Sequence, residues 1–282
     1  MSIHGTNDEL KSKVMHWWNN YPFTYFVKEE IGSWAFFRNV DRKIFKWCPW
    51  AHDGYPLFSK FVPYKELAGK RVLDIGCGTG WSTEQFARMG AKVSAIDLTE
   101  KAIELTKKRF ALYHLDADIR VGDAERIPYP DETFDYVFVW GVLMHTPNTE
   151  GAIREIFRVL KPGGRAAAMM YNKNSLHWRW FIFFGKGILR GGLRKRSVQE
   201  LTNRYTDGAE IGGNMLTKFY TPEELKRLWS VFPKVSVATY DNPDILDVFP
   251  HRLLPLGRLL PRKLKQRLAN RFGLLAWIEA RK

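Results

Sequence analysis

The segment 72–80, VLDIGCGTG, constrains this chain more than any other feature, because an apolar run there ends in three closely spaced glycines. Glycine lets the backbone turn sharply and lie close to a ligand where a Cβ would collide. A helical pattern follows at once, so the turn lies at the carboxyl end of a strand, where open α/β sheets bind ligands. By itself the pattern also occurs in dinucleotide-binding folds and in tight turns that bind nothing. The segment therefore predicts an α/β fold with a candidate ligand site at this turn.

Strand and helix patterns alternate from residue 70 onward. The strands are apolar on both faces, which is typical of a parallel sheet covered by helices on both sides. The sequence therefore predicts a doubly wound, Rossmann-like α/β fold. Its predicted strands span 71–75, 92–96, 119–121, 134–140, 165–171, 235–240 and 274–280, and its helices span 79–89, 100–112, 149–160 and 221–229.

Segments outside this alternation define the predicted domain organisation. Residues 1–65 are rich in aromatic side chains and lack strand alternation, so we interpret them as short helices and loops that pack over the neighbouring domain. Residues 66–282 form the main domain, with insertions at 173–218 and 244–272. A chain of 282 residues fits one α/β domain with insertions better than two independent domains.

Composition excludes several classes of protein. A hydrophobic fraction of 45% and an aromatic fraction of 15% exclude disordered and fibrous chains. The two cysteines, Cys48 and Cys77, suggest neither a disulfide framework nor a metal site, so we expect a cytoplasmic protein without a metal ion. Residues 1–20 do not resemble a signal peptide, and no apolar run is long enough to predict a membrane span.

Acidic residues follow the next two predicted strands. Asp97 ends the second strand, where a carboxylate can accept hydrogen bonds from both hydroxyls of a ribose. Asp123 and Ala124 follow the third strand, where a carboxylate and a backbone amide can bind the edge of an adenine. The loop 142–148 after the fourth strand is expected beside the reacting centre. The sequence contains no Gly-x-x-x-x-Gly-Lys-Ser/Thr motif, which counts against a nucleoside triphosphatase.

Together these motifs resemble class I S-adenosylmethionine-dependent methyltransferases, in the subgroup of menaquinone, ubiquinone and other small-molecule methyltransferases. The resemblance implies a seven-stranded sheet whose last strand is antiparallel, with S-adenosylmethionine as cofactor and S-adenosylhomocysteine as product. It is carried by VLDIGCGTG (72–80), AIDLTEKAIE (95–104), GDAERIPYPDETFDYVFVWGVLMH (122–145) and REIFRVLKPGG (154–164), and more loosely by 215–240.

The same resemblance implies which residues hold the cofactor. They follow the first four predicted strands: Asp74, Gly76, Gly78 and Gly80 for the methionine part, Asp97 and Leu98 for ribose and adenine, Asp123 and Ala124 for the adenine amino edge, and Trp140.

Methyl transfer from a sulfonium mainly requires the protein to align donor and acceptor in a water-poor pocket. A general base is needed only where the acceptor carries a proton near neutral pH. His145, just past the fourth strand, is the predicted base, and the alternative is that it only packs against the cofactor or satisfies a backbone group. Tyr21 is the second predicted catalytic residue, because aromatic segments before the glycine turn often form a lid in similar methyltransferases. Plain packing of an N-terminal helix is its alternative.

The insertion after the fifth strand carries substrate choice in this family, and here it is aromatic and basic. Its loop 204–214 is polar and contains glycines, which turn chemistry explains equally well. We expect a hydrophobic or lipid-like small molecule as the acceptor, methylated on O, C or N. The predicted acceptor-binding residues are Trp17, Trp18, Tyr205, Asp207, Asn214 and Tyr220.

Charge is distributed unevenly along the chain. Of the net +14, residues 173–282 contribute +12, from 21 Lys and Arg against 9 Asp and Glu. This asymmetry favours an anionic partner, either a membrane surface or nucleic acid, although a well-solvated basic surface is the plain alternative. Within 244–272, leucines near helical spacing alternate with basic residues, as in an interfacial membrane anchor or a helix packed on its own domain. A membrane-peripheral location in the cytoplasm is therefore one expectation.

An RNA or DNA methyltransferase that uses the basic region is the alternative function. Against it, WGVLMH follows the fourth strand, where amino-methylating nucleic-acid enzymes usually carry an Asn/Asp-Pro-Pro-aromatic motif. The chain also lacks a Pro-Cys motif and a recognisable RNA-binding module. A cofactor-binding scaffold without activity is disfavoured by the complete set of glycines and acids.

Overall fold

A computed structural model of the chain describes residues 7–21, 27–46, 48, 51, 56–248 and 256–282. Parts of the predicted lid and of the second insertion, residues 249–255 included, therefore lie outside the described residues. The helices are α1 (Asn7–Asn20), α2 (Trp34–Lys46), α3 (Tyr64–Leu67), α4 (Trp81–Arg88), α5 (Glu100–Leu112), α6 (Thr149–Val159), α7 (Val198–Tyr205), α8 (Pro222–Leu228) and α9 (Arg262–Arg271), with a π-helix at His177–Leu189.

The strands form one sheet in the order β3-β2-β1-β4-β5-β8-β7, and the short β6 pairs with the end of β5. β8 is antiparallel to both of its neighbours, and the other pairs are parallel. The predicted doubly wound sheet with an antiparallel last strand is thus confirmed, but it has eight strands rather than seven, because the two-residue β6 was not predicted. The strands are β1 (Arg71–Ile75), β2 (Lys92–Asp97), β3 (Asp118–Val121), β4 (Phe134–Trp140), β5 (Leu160–Asn172), β6 (Phe219–Tyr220), β7 (Lys234–Tyr240) and β8 (Leu275–Arg281).

Each face of the sheet has its own hydrophobic core. Leu73 and Ile75 of β1 belong to the core that also contains Ile153 of α6 and Trp229 after α8. Val72 of β1 faces the opposite core. That second core contains side chains from the predicted N-terminal lid, among them Phe45, Phe58, Val62 and Tyr64. Part of the segment interpreted as a lid therefore covers one face of the sheet.

Two boundaries differ from the predicted ones for identifiable reasons. The helix after the glycine turn begins at Trp81, because Gly80 is its N-cap and has a left-handed backbone (φ 79°). β5 begins at Leu160 because that residue already pairs with Phe134, before a register shift in the ladder. The helix expected from residue 221 is α8, where Thr221 and Glu224 form a capping box.

The first insertion contains helical structure that the periodicity did not predict. The π-helix spans 13 residues and is followed by α7, whose N-terminus is capped by Ser197. A π-helix of this length is unusual, because π-turns mostly occur singly within α-helices. None of the helices in the described part of the chain is both long and apolar enough to cross a membrane.

Candidate active site

Each glycine of the turn after β1 meets a different steric demand, and all three have positive φ. A Cβ on Gly76 would lie 2.0 Å from the side chain of Val142. A Cβ on Gly80 would lie 3.0 Å from Thr106 of α5, so this glycine lets α4 and α5 approach. A Cβ on Gly78 would meet no atom closer than 4.0 Å, because it would project into open space. Gly78 thus lines a cavity that any side chain would begin to fill.

Asp74 lies behind this turn rather than in the cavity wall. Its buried carboxylate accepts hydrogen bonds of 2.6 Å from the hydroxyls of Ser82 and Thr83 at the start of α4. Burial raises the pKa of Asp74 to about 6 in spite of these two hydrogen bonds. The side chain of Thr79 is buried in the same turn. The turn therefore retains a buried hydroxyl without a hydrogen-bond partner among the described residues.

A cavity opens at the carboxyl ends of β1, β2 and β4. Its empty space is about 850 Å³, with the solvent at its mouth included. Helix α1 closes it from above. The lining residues include Lys11, Val14 and Trp18 of α1, together with Gly76, Gly78, Asp97, Leu98, Asp123, Ala124, Glu125, Trp140, Val142 and His145.

Asp97 is held rigidly at the end of β2. One carboxylate oxygen accepts a hydrogen bond from the amide of Gly78 (3.1 Å), and the other accepts from the amide and the hydroxyl of Thr99 (both 2.9 Å). Burial raises the pKa of Asp97, while those hydrogen bonds oppose the increase. An oriented carboxylate at this position fits a ribose, whose hydroxyls can donate to it.

Asp123 is partly neutralised by the helix that covers the cavity. Lys11 of α1 lies 2.7 Å from Asp123 and 2.6 Å from Glu125. Burial alone would lower the pKa of Lys11, but its bonds to these two carboxylates raise it overall. α1 is therefore tied to the predicted adenine edge by an ion pair that the sequence did not reveal, since a lysine 112 residues away carries no pattern.

His145 lies in a 3₁₀ turn after β4, and its side chain is buried at the cavity wall. Its Nδ1 is 2.6 Å from the carbonyl oxygen of Leu216. A carbonyl oxygen can only accept, so Nδ1 carries the hydrogen. Nε2 lies 3.4 Å from a carboxylate oxygen of Asp207, whose two oxygens accept from the hydroxyl of Tyr171 at 2.9 and 3.0 Å. The ring of Trp18 contacts the imidazole edge-on, with centroids 5.3 Å apart.

The structure brings many of the predicted site residues together. Those that line the cavity are Gly76, Gly78, Asp97, Leu98, Asp123, Ala124, Trp140, His145 and Trp18. Asp207 lies beside His145, and the side-chain amide of Asn214 is 3.3 Å from its Nδ1. Trp17 is buried against Trp18, with ring centroids 4.7 Å apart.

Eight predicted residues do not line the cavity: Trp17, Asp207 and Asn214 lie beside residues that do, and the other five lie elsewhere. Asp74 and Gly80 act from behind the glycine turn, as described above. Tyr21 is 39% exposed at the end of α1, and its ring contacts Trp17. The ring of Tyr205 lies under Lys186 of the π-helix, and Tyr220 of β6 donates to the hydroxyl of Thr149. The prediction placed Tyr205 and Tyr220 at the acceptor pocket on sequence position alone, whereas α7 and the pairing of β6 with β5 turn them toward other neighbours.

Comparison with known proteins supports the family that the motifs predict. Residues 73–168 match the family model described as a methyltransferase domain. The predicted family and its cofactor, S-adenosylmethionine, are thereby confirmed for this segment.

Two curated relatives illustrate the range of similar proteins. A ubiquinone biosynthesis O-methyltransferase of Azoarcus sp. (strain BH72) is 34% identical over 145 residues, which is 46% of this chain and 62% of that protein. The 27-O-demethylrifamycin SV methyltransferase of Amycolatopsis mediterranei is 42% identical over 105 residues, 36% of this chain and 38% of the relative. The chain thus spans less than two thirds of the length of these relatives.

Solved structures show the same fold. A SAM-dependent methyltransferase from Methanosarcina mazei has a TM-score of 0.52 at 21% identity, covering 82% of this chain and 98% of that one. A protein from Pyrococcus horikoshii OT3 has a TM-score of 0.56 at 15% identity, covering 95% of this chain and 99% of its own. At this level of identity the likeness concerns the fold alone.

Proposed function

Residues 73–168 belong to the methyltransferase domain family, and from that premise we propose that the chain methylates a hydroxyl oxygen of a hydrophobic small molecule with S-adenosylmethionine. One observation supports oxygen, rather than nitrogen or carbon, as the methylated atom. His145 lies in the cavity wall with its Nδ1 hydrogen committed to the Leu216 carbonyl, so Nε2, which lies 3.4 Å from a carboxylate oxygen of Asp207, is the ring nitrogen without a hydrogen. A proton acceptor is required where the acceptor atom is a hydroxyl, and it is dispensable where the acceptor is already a free nucleophile.

The cavity suits the cofactor. Open space at Gly78 lets a ligand lie against the backbone of the turn, and the oriented carboxylate of Asp97 faces the same cavity. Asp123 and Ala124 line its far end, where the amino edge of an adenine is expected. Bound here, S-adenosylmethionine supplies an activated methyl group. The residues of the chain then orient it, exclude water and provide the base.

Helix α1 accounts for the exclusion of water. Val14 and Trp18 present apolar surface to the cavity from above, and the ion pair of Lys11 with Asp123 and Glu125 holds the helix in place. A dry pocket strengthens the electrostatic interactions of the reacting groups and prevents competing hydrolysis. We therefore propose that α1 is the lid of the site, as the aromatic N-terminal segment predicts.

The acceptor is proposed to be a small molecule. The two curated relatives named above are, by their names, an O-methyltransferase of ubiquinone biosynthesis and a methyltransferase of a demethylrifamycin. The apolar side chains around His145 favour a hydrophobic acceptor, and a phenolic hydroxyl suits imidazole as a base because it ionises more readily than an alcohol. Neither of these relatives is named as acting on RNA or DNA.

We also propose that the acceptor is lipid-like and that the basic C-terminal region contacts an anionic membrane surface in the cytoplasm. Two leucines support this proposal: Leu259 is 82% exposed and Leu264 is 41% exposed. Three exposed basic residues lie on α9, namely Arg262, Lys263 and Arg267. α9 also contacts its own domain, since Ala269 is buried. α9 and the turn before it thus combine a buried contact with exposed residues that are both basic and apolar.

Calorimetry with S-adenosylmethionine tests whether the chain binds the proposed cofactor. The wild-type chain should bind it, and Asp97→Ala should weaken binding because each charge-assisted hydrogen bond contributes about 1.5–3 kcal/mol. Asp116→Ala is the matched control, since that carboxylate is exposed and remote from the cavity wall. Absence of binding to the wild-type chain would contradict the proposal.

Turnover tests the choice of oxygen. A panel of phenols, amines and carbon acids is incubated with the chain and S-adenosylmethionine labelled in its methyl group. We expect label on phenols, and we expect His145→Gln to lower kcat by about 10²–10⁴-fold, the usual contribution of a general base. Transfer to amines with an unchanged rate in His145→Gln would refute the proposed role of His145.

A further inference from the structure

The loop between β4 and α6 is held by a lysine at the end of the first insertion. The backbone amide of Lys218 donates to the carbonyl oxygen of Met144 (2.9 Å). Its Nζ donates to the carbonyl oxygens of Thr146 (2.9 Å) and Pro147 (2.7 Å), and to the hydroxyl of Thr149 at the start of α6 (3.1 Å). An ammonium group has three hydrogens and no acceptor, so all of its hydrogen bonds are made here. Lys218 therefore joins the insertion to this loop.

A carboxylate binds the same loop. Oε1 of Glu125 accepts a hydrogen bond from the backbone amide of Asn148 (2.8 Å), the residue after Pro147. Oε2 of Glu125 forms the ion pair with Lys11 of α1. The carbonyl oxygens of the loop thus bind a cation, and the next amide hydrogen binds an anion. Hydrogen bonds with a charged partner are stronger than those between neutral groups, so both charges restrain the loop.

Lys218 depends on the loop as much as the loop depends on Lys218. Its side chain is half-buried, and it forms no ion pair within the part of the chain that the structure describes. Burial lowers the pKa of Lys218, and the charge of Glu125 opposes this decrease. A charge that is removed from water is costly unless hydrogen bonds satisfy it. The oxygens of the loop supply those bonds, so a shift of the loop would leave the ammonium unsatisfied.

This loop forms part of the cavity wall. Thr146 and Pro147 line the cavity, as does Glu125, whereas Lys218 does not. The loop is expected beside the reacting centre, because it follows β4 at the carboxyl edge of the sheet. The glycine turn and Asp97 belong to other elements. A shift of the loop would therefore move the wall beside the acceptor more than the groups that face the cofactor.

We propose that Lys218 and Glu125 are positioning residues, which fix the wall formed by Thr146 and Pro147 and thereby the place of the acceptor. This inference rests on the proposed function, and neither residue gives or takes a proton in it. Position matters because a displacement of about 1 Å can cost about 100-fold in rate. Since Lys218 is the last residue of the first insertion, the insertion acts on the acceptor site through this contact.

Lys218→Met tests the role of the ammonium, with Lys226→Met as the matched control, because Lys226 is an exposed lysine of α8. Lys218→Met should lower kcat/KM for the acceptor by about 10- to 100-fold. The loss should fall on kcat as well as KM, because an acceptor that still binds is misplaced. Calorimetric affinity for S-adenosylmethionine should stay near the wild-type value. Lys218→Arg keeps the charge and should recover part of the loss, and Lys226→Met should match the wild type.

Glu125→Gln tests whether the two residues act on one loop. The substitution keeps an oxygen for the amide of Asn148 and removes the charge. Residues that act through a shared partner are not additive, so the variant with both Lys218→Met and Glu125→Gln should lose less kcat/KM than the product of the two single losses. Losses that multiply would show that the residues act independently and would overturn the shared role.

Hydrogen exchange separates this inference from the proposed function, because it needs no acceptor. Exchange of the amides of Thr146 and Asn148 should be faster in Lys218→Met than in the wild type, with exchange in β4 unchanged. Lys218→Gln, which keeps one donor group, serves for the same comparison if Lys218→Met does not fold. Equal exchange at the two amides, or an affinity for S-adenosylmethionine that falls as much as kcat/KM, would overturn the inference. A wild-type chain that methylates no acceptor would refute the proposed function instead.

Discussion

At the scale of single residues, the glycine turn shows how one motif can satisfy several constraints. The missing Cβ of Gly76 leaves room for Val142 in the loop after β4, and that of Gly80 lets α5 pack close to the turn. Gly78 leaves space for a ligand. The sequence pattern treats these positions as equivalent, because spacing alone records only that a Cβ is absent. The neighbours that make each glycine necessary become visible in the tertiary structure.

Alanine substitutions should separate these roles. Gly78→Ala should cost about 1–2 kcal/mol of folding free energy for its left-handed backbone, and it should weaken S-adenosylmethionine binding because the methyl group enters the cavity. Gly76→Ala should be more destabilising, since its Cβ would lie 2.0 Å from Val142. Urea unfolding and calorimetry on both variants measure the two effects. Equal stabilities, or an unchanged affinity in Gly78→Ala, would contradict this assignment.

Asp74 makes stability depend on pH. Burial raises its pKa to about 6, whereas an unfolded aspartate has a pKa of about 3.9. Between these values the native state binds more protons than the unfolded state, so Asp74 lowers stability as pH rises from about 4 to about 6, by about 1.4 kcal/mol per unit of pKa shift. Asp74→Asn keeps an oxygen to accept from Ser82 and Thr83 and removes this contribution.

Urea unfolding between pH 4.5 and 7 checks the prediction. The fall in stability should be shallower in Asp74→Asn than in the wild type. It should not vanish, because burial also raises the pKa of Asp241 to about 6. Asp116→Asn, an exposed substitution, should keep the wild-type slope. A parallel curve for Asp74→Asn would show that its carboxyl does not titrate in this window.

At the scale of secondary-structure elements, local signals predicted some boundaries closely and missed others. The predicted helix 100–112 has the observed bounds of α5, because Thr99 caps it and accepts from the amide of Ala102. The predicted strand 134–140 coincides with β4. The π-helix and β6 carry no such signal. Their conformation depends on packing: the π-helix contacts α7, and β6 pairs with the end of β5, which lies much earlier in the chain.

The N-terminal helices are joined to the domain by buried charge. Arg109 of α5 pairs with Asp41 of α2 and with Glu84 of α4, at 2.5 Å in each case, and its side chain is only 5% exposed. These carboxylates raise the pKa of Arg109 against the effect of its burial. The guanidinium therefore connects α2 to the two helices that flank the cofactor turn.

Arg109→Met should cost about 3–5 kcal/mol, because it removes the buried partner of Asp41 and one of the two arginines that pair with Glu84. Arg120→Met is the control: that arginine pairs with Asp118 at the surface, with a side chain 50% exposed, and should cost at most about 1 kcal/mol. Chemical denaturation of both variants measures the difference. Similar losses in the two would contradict the role given to Arg109.

At the scale of the whole molecule, the distribution of charge leads to a prediction about membranes. The excess of +12 in residues 173–282 coincides with the exposed leucines near α9. Replacing Leu259 and Leu264 by Asn should lower co-sedimentation with phosphatidylglycerol vesicles by at least about tenfold, because burying a leucine contributes about 1.5–3 kcal/mol.

Leu112→Asn is the matched control for that experiment, since Leu112 is also exposed (44%) but lies in the nearly neutral part of the chain. It should leave vesicle binding unchanged. Neutral phosphatidylcholine vesicles should bind the wild type weakly. Equal binding of the double variant and the wild type to anionic vesicles would refute the proposed contact through α9.

The amino-acid sequence was enough to predict the sheet, the succession of strands and helices along the chain, and residues that line one end of the cavity. It could do so because apolar periodicity, helix caps and the glycine turn are local, and because acids that follow parallel strands must meet at one edge. Tertiary structure decided the rest. Asp74 and Gly80 lie behind the turn, and Tyr205 and Tyr220 contact other neighbours. Lys11 lies in the cavity wall, and Asp207, which Tyr171 contacts, lies beside His145. These positions depend on how α1 and the first insertion pack on the sheet, and no periodicity records contacts between residues so far apart in the chain.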